Sequence, residues 1–170
     1  MEFQPYRQWQ VFDDAGRRKY ANQRERRRLL IAADRCRPDI RALVLFLVFS
    51  GCRISEALAL RVEHFDEEAN TVTIRTLKRR RLSFRCVPIP PDLCRMVLAL
   101  PTPSGSRIWR MHRVTAWRHV KALFDEEQVT GPMACCRGLR HGFGIRAAVN
   151  SVPPNIIQKW MGHALLSTTV

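Results

Sequence analysis

From Ile40 to Phe49 the chain is apolar on nearly every side, with Arg41 the one charged residue in the stretch. Coiled as a helix, such a segment has no face to offer water, so it must lie at the centre of a domain with other elements packed around it. It cannot cross a bilayer, because that takes about 18–20 apolar residues and the longest uninterrupted run is Ala42 to Phe49. Pro38 separates it from what precedes, and Gly51 breaks it. A chain of 170 residues, 46% of them hydrophobic, supplies one sizeable core around that helix and not two full ones.

The remaining elements can be read around this centre. Residues 1–20 are expected to be an N-terminal arm or a short hairpin about Asp14-Ala15-Gly16. A helical pattern starts at Asn22, with Leu29, Leu30, Ala33 and Cys36 on one side and Arg24, Arg27, Arg28 and Arg35 elsewhere. Past Gly51, a third helix begins at Ile54 to Ser55. Val62 to Phe65, Thr71 to Thr76 and Phe84 to Ile89 read as three strands, the first two joined by the turn Glu67-Glu68-Ala69-Asn70. Thr71-Val72-Thr73-Ile74 has the β-branched alternation of a half-buried sheet. Lys78, Arg79, Arg80 and Arg81 fill the turn between the last two strands.

Helices are then expected over Leu93 to Leu100 and Arg113 to Glu127, the latter with Val114, Trp117, Val120, Ala122, Leu123 and Phe124 at helical spacing. Two more follow. One runs from Leu139 to Asn150; the other opens at Pro154, where the missing N–H costs nothing, and carries Ile156, Ile157, Trp160 and Met161 to an exit at Gly162. The fold class is mainly α (α+β), with a small three-stranded antiparallel sheet.

Charge narrows the partner. Lys and Arg number 29 against 15 Asp and Glu, a net +14, and such an excess attracts polyanions. DNA or RNA is the natural partner and an anionic membrane surface the plainer competitor, though an RNA-binding module lacks the stacking aromatics it would need. Met1 is followed by Glu2 and a polar stretch, so no signal peptide is expected. Cys36, Cys52, Cys86, Cys94, Cys135 and Cys136 show no zinc-ligand spacing, so they read as thiols in a reducing cytosol, with no metal and no cofactor.

Three short motifs carry the chemistry: Gly51-Cys52-Arg53-Ile54-Ser55-Glu56-Ala57-Leu58, Arg137-Gly138-Leu139-Arg140-His141, and Met161-Gly162-His163 followed by Ser167-Thr168-Thr169. In this order and spacing they resemble the catalytic domain of the tyrosine recombinases, the phage-integrase family, over residues of roughly 25 to 170. The resemblance implies a helical recombinase catalytic fold over residues 21–170. It also implies breaking and rejoining of DNA strands through a 3′-phosphotyrosine intermediate in the full-length protein. In that family the tyrosine comes a short way past the histidine matched by His163, whereas Tyr6 and Tyr20 are the only tyrosines in this sequence. The chain is therefore expected to be truncated before the nucleophile and inactive alone. The alternative is a non-catalytic DNA-binding protein on the same scaffold.

Attack on a phosphodiester builds negative charge on the non-bridging oxygens, and preorganised cations stabilise it. Arginine suits this because its planar fork holds two oxygens at once. The resemblance puts Arg53 and Arg140 in that role, with Glu56 orienting a guanidinium; by spacing alone Arg53 and Glu56 are also an ordinary i,i+3 surface pair. Lys78 would protonate the leaving 5′ oxygen, while Arg79, Arg80 and Arg81 touch DNA phosphates. Arg137 stands where the family usually has histidine; it keeps a charge but cannot accept a proton near neutral pH. His163 would hydrogen-bond the phosphate, and His141 would pack as a satisfied structural histidine. Catalysis without a divalent ion, a homo-oligomer (tetramer) on DNA, and a cytoplasmic, nucleoid-associated protein of bacterial or phage origin complete the expectation.

Overall fold

The computed structural model of the chain describes residues 11–76 and 82–162. Lys78, Arg79, Arg80, Arg81 and His163 lie outside the described residues, as do Tyr6 and the threonines after His163.

Seven α-helices and a three-stranded sheet make up the described fold: α1 (Gln23–Ala33), α2 (Pro38–Ser50), α3 (Ile54–Ala57), β1 (Phe65–Asp66), β2 (Thr71–Arg75), β3 (Phe84–Pro88), α4 (Pro91–Leu98), α5 (Arg113–Glu126), α6 (Cys136–Val149) and α7 (Pro154–Met161). As the apolar run demands, α2 is the axis, packed by α1, α3, α4, α5 and α6. Leu43, Phe46 and Leu47 are completely buried. The Phe46 ring lies 5.8 Å from that of Phe65 and 5.4 Å from that of Trp109. Trp109 in turn donates its indole N–H to the Asp39 carbonyl at 2.9 Å, pinning a loop to the first turn of α2.

Local chemistry sets the ends. Asn22 caps α1 reciprocally with Glu25: each side chain accepts from the other's backbone N–H, at 2.8 Å both ways. Ahead of it, residues 11–20 form the small hairpin, with Phe12 bridged to Arg18 and the Asp13 carboxylate accepting from the Ala15 and Arg17 amides. Gly51 ends α2 in the left-handed conformation (φ 62°), and a Cβ there would sit 2.3 Å from the Phe143 ring. No other residue meets both conditions.

The sheet is antiparallel in the order β1-β2-β3, with Phe65 opposite Val72, Thr73 opposite Cys86 and Arg75 opposite Phe84. The first strand is shorter than expected, because Val62–His64 is a 3₁₀ turn. His64 closes it by accepting from the Arg61 amide on Nδ1 at 3.0 Å, which leaves Val62 exposed. Two further differences matter. α6 begins at Cys136, not Leu139, and so includes Arg137; Gly138 fits inside its first turn because the Met133 carbonyl lies 2.0 Å from where a Cβ would be. On α5 the buried face is Ala116, Val120, Leu123 and Phe124, while Val114, Trp117 and Ala122 face outward. His112, also without a role in the motifs, caps α5 by accepting from the Val114 amide at 3.2 Å.

Apart from the main core, Phe143, Ala147, Ile157 and Met161 form a small second cluster that seats α7 on α6. Among the described residues no helix is long and apolar enough to cross a membrane.

Candidate functional site

The turn after α2 and the middle of α6 meet, and this brings the two motif arginines together. Arg53 is the residue before α3, with extended backbone (φ −76°, ψ 146°). Glu56, one turn later, reaches back: its Oε2 accepts from the Arg53 amide and its Oε1 from the Arg53 guanidinium, both at 2.9 Å. The pair has the i,i+3 spacing of a surface ion pair, but Glu56 is wholly buried while the Arg53 side chain keeps 26% of its surface open.

From the other half of the chain, Arg140 on α6 donates to the Gly51 carbonyl at 2.6 Å and to the Met161 carbonyl at 2.5 Å. These are carbonyls at the C-terminal ends of α2 and α7, which lack helical partners and carry the negative end of the helix dipole. Arg146 does the same for the Val48 carbonyl at 2.9 Å. Burial pushes the Arg140 guanidinium down to about 10, and the positive charge of Arg53 adds to the shift while Glu56 opposes it. Arg140 thus remains charged at neutral pH, within the electrostatic reach of Arg53 and Glu56.

A residue that no motif named completes the group. Arg85 on β3 is almost fully buried, and its guanidinium donates to Glu56 Oε2 at 2.7 Å, to Thr76 Oγ1 at 2.9 Å and to the Trp160 carbonyl at 2.7 Å. Burial raises the Glu56 carboxyl, but the bonds and charge of Arg85, with those of Arg53, outweigh it and hold the group below the usual carboxylate range. Two guanidiniums therefore bind one buried carboxylate and a third, that of Arg140, lies within its electrostatic reach, an excess of positive charge in a partly water-excluded place. Such a place suits an oxyanion. A signal for Arg85 did exist in the sequence. In the alternation of β3 it shares the inward register with Val87, and an inward cation needs a buried acid.

The other motif residues divide. Arg137 is exposed on the first turn of α6, and among the described residues no hydrogen bond or ion pair ties it to the Arg53–Glu56–Arg85–Arg140 group. His141 is half-buried on α6, and burial, with the charges of Arg140, Arg137 and Lys19, pushes it down to about 4, so the imidazole is neutral at pH 7. The Cys52 thiol, buried beside the group, is pushed up to about 11 and stays protonated. Among the described residues no cluster of His, Cys, Asp or Glu is arranged to hold a metal ion.

Comparison with known proteins gives this arrangement a context. The chain is 26% identical over 149 residues to the tyrosine recombinase XerD of Bifidobacterium longum, covering 76% of this chain and 47% of that protein. To the tyrosine recombinase XerA of Pyrococcus furiosus it is 28% identical over 141 residues, covering 76% and 48%. It thus spans about half the length of the curated relatives it matches. In fold it resembles the XerH site-specific recombinase bound to difH substrate in a pre-cleavage complex (TM-score 0.78, 18% identity, 93% of this chain and 54% of that one). It also resembles the catalytic domain of bacteriophage HP1 integrase (TM-score 0.72, 24% identity, 88% and 83%). The mainly helical architecture with its small antiparallel sheet is that of the recombinase catalytic domains. The model of the phage integrase family matches residues 19–170, nearly the whole chain, and the chain belongs to that family.

Proposed function

We propose that this chain is the phosphodiester-binding part of a DNA breaking-rejoining enzyme of the tyrosine recombinase type, working on double-stranded DNA. The observation that carries the reading is the meeting of Arg53 and Arg140, from opposite halves of the sequence, around the buried carboxylate of Glu56. In this reading the open part of Arg53 and the charge of Arg140 stabilise the oxygens of the scissile phosphate, and Glu56 orients Arg53. Lys78 donates the proton to the leaving 5′ oxygen, His163 bonds the phosphate, and Arg79, Arg80 and Arg81 hold the backbone beside it. Arg137 adds charge at the mouth of the site in place of a proton acceptor, and neutral His141 supports α6. The nucleophile of such a reaction is a tyrosine, and the assembly on DNA is a tetramer in the cytoplasm.

The test is in two stages. Duplex affinity, read by fluorescence anisotropy, falls steeply between low and physiological salt if phosphate contacts dominate; a flat response would remove DNA as the partner. In a protein carrying the tyrosine segment, a nicked duplex traps a covalent adduct, with or without EDTA. Arg53→Ala keeps the fold and slows adduct formation by about 10²–10³-fold. Arg140→Ala is a less clean probe, because it also strips the Gly51 and Met161 carbonyls of their donor.

A further inference from the structure

We propose that Arg85 is a positioning residue that builds the oxyanion site: through Glu56 it sets the guanidinium of Arg53, and through the Trp160 carbonyl it seats the end of α7 against the same group. The proposal rests on the reading of Arg53 and Arg140 as the oxyanion-binding pair. Arg85 lies on β3, away from every motif, and its side chain is 5% exposed, so it does not meet a ligand itself.

Each nitrogen of its guanidinium has a partner. NH2 donates to Glu56 Oε2 at 2.7 Å, NH1 to Thr76 Oγ1 at 2.9 Å and to Glu56 Oε1 at 3.4 Å, and Nε to the Trp160 carbonyl at 2.7 Å. The two Glu56 oxygens are the ones that receive the Arg53 guanidinium and amide. Because Arg85 already neutralises the buried carboxylate, Arg53 need only touch it and can turn its outer N–H groups to solvent. Without Arg85, Arg53 would be drawn onto Glu56 as the one cation hydrogen-bonded to it among the described residues.

The α7 side is equally specific. Arg85 and Arg140 each take one of two consecutive carbonyls at the end of the helix, those of Trp160 and Met161. Gly162 then crosses the Arg85 guanidinium so closely that a Cβ would lie 3.0 Å from NH1. A buried ion pair is a poor device for stability alone, since apolar groups of the same size often do as well. This one joins three elements at the place where an anion would bind, which is how supporting groups fix the residues that contact a ligand.

The experiment follows the Arg53 and Arg140 side-chain Nε–H resonances in the ¹⁵N-arginine-labelled chain during titration with inorganic phosphate, assigned through Arg53→Lys and Arg140→Lys. In the native chain both resonances move with one affinity. Arg85→Lys keeps the charge but not the fork. The double variant Glu56→Gln/Arg85→Met leaves no unpaired buried charge. Both are expected to hold the fold by circular dichroism, to weaken the Arg53 response about 10-fold or more, and to speed amide exchange in α7. A role confined to stability would lower the melting temperature and leave the phosphate response unchanged, which overturns the proposal. So would unfolding of both variants. If neither resonance responds in the native chain, the oxyanion reading of the site fails, and this proposal fails with it.

Discussion

Around α2, buried side chains from α1, α3, α4, α5 and α6 close over one another, and Phe46 alone meets two other aromatic rings. Beneath α7 the buried cluster is four residues, Phe143, Ala147, Ile157 and Met161, with Val152 and Trp160 at its margin. What α7 lacks in apolar contact it replaces with two arginines donating to its last carbonyls. The candidate site sits on the seam between these regions. Arg53 and Glu56 hang from the end of the well-packed helix, and the bonds of Arg85 and Arg140 reach across to the lightly packed one. The lesson is that the site's charges also fasten α7, so loosening either is expected to loosen the other.

The comparison breaks first at its strong side. Phe46→Ala removes a ring from the centre of the main core and is expected to cost about 3–5 kcal/mol, seen as one lower urea midpoint by every probe. Met161→Ala in the small cluster is expected to cost about 2–5 kcal/mol by the same rule, but the loss is local. Amide exchange should accelerate in α7 well before the α2 amides change. Equal acceleration in both helices would mean that the two clusters unfold as one unit, and the contrast between them would be wrong.

A pH effect sharpens the picture at the seam. His141 is held at about 4 in the fold by burial and by the charges of Arg140, Arg137 and Lys19, against an ordinary 6.5. A histidine with a lowered pKa contributes its full stability above 6.5; the contribution drains away as pH falls from there towards 4, because the unfolded chain takes the proton first. Urea midpoints at pH 7 and pH 5 should therefore differ more for the native chain than for His141→Gln. A native chain with no such difference would contradict the burial of the imidazole.

The sequence made the α2 side legible and the seam only partly so. An all-round apolar run, the helical pattern that starts at Asn22 and the break at Gly51 are local signals, and each lies where the residues alone put it. Arg53, Glu56 and Arg140 stand in motifs, and the fold brings them together. Arg85 does not, because its significance depends on an acid in another element, and a single inward cation in a five-residue strand is easily read as surface. Val114 and Trp117 depart in the opposite sense: helical spacing marks a face but not whether a neighbour covers it, and both are 42% exposed. The start of α6 escapes a sequence reading because a glycine inside a first turn looks like a boundary, when at Gly138 it answers the close approach of the Met133 carbonyl.

The left-handed glycines at the ends of the two contrasted helices give the finest form of the comparison. Gly51 closes α2 at φ 62° and Gly162 closes α7 at φ 64°. An alanine at either carries about 1–2 kcal/mol of left-handed strain. At Gly51 the added Cβ would also lie 2.3 Å from the ring of Phe143, which links the main core to the small cluster and has little room to move. Overpacking of that kind adds about 1–3 kcal/mol. At Gly162 the nearest atoms belong to the Arg85 guanidinium, 3.0 Å away, which can yield by a few tenths of an ångström. Gly51→Ala should therefore cost clearly more stability than Gly162→Ala when both are measured by urea unfolding. The smaller loss at Gly162 should fall on function instead, because the guanidinium that yields is the one holding Glu56 and the Trp160 carbonyl. A Gly162→Ala chain with native phosphate affinity and native α7 exchange would show that Arg85 tolerates displacement, and that α7 is seated by its apolar cluster alone.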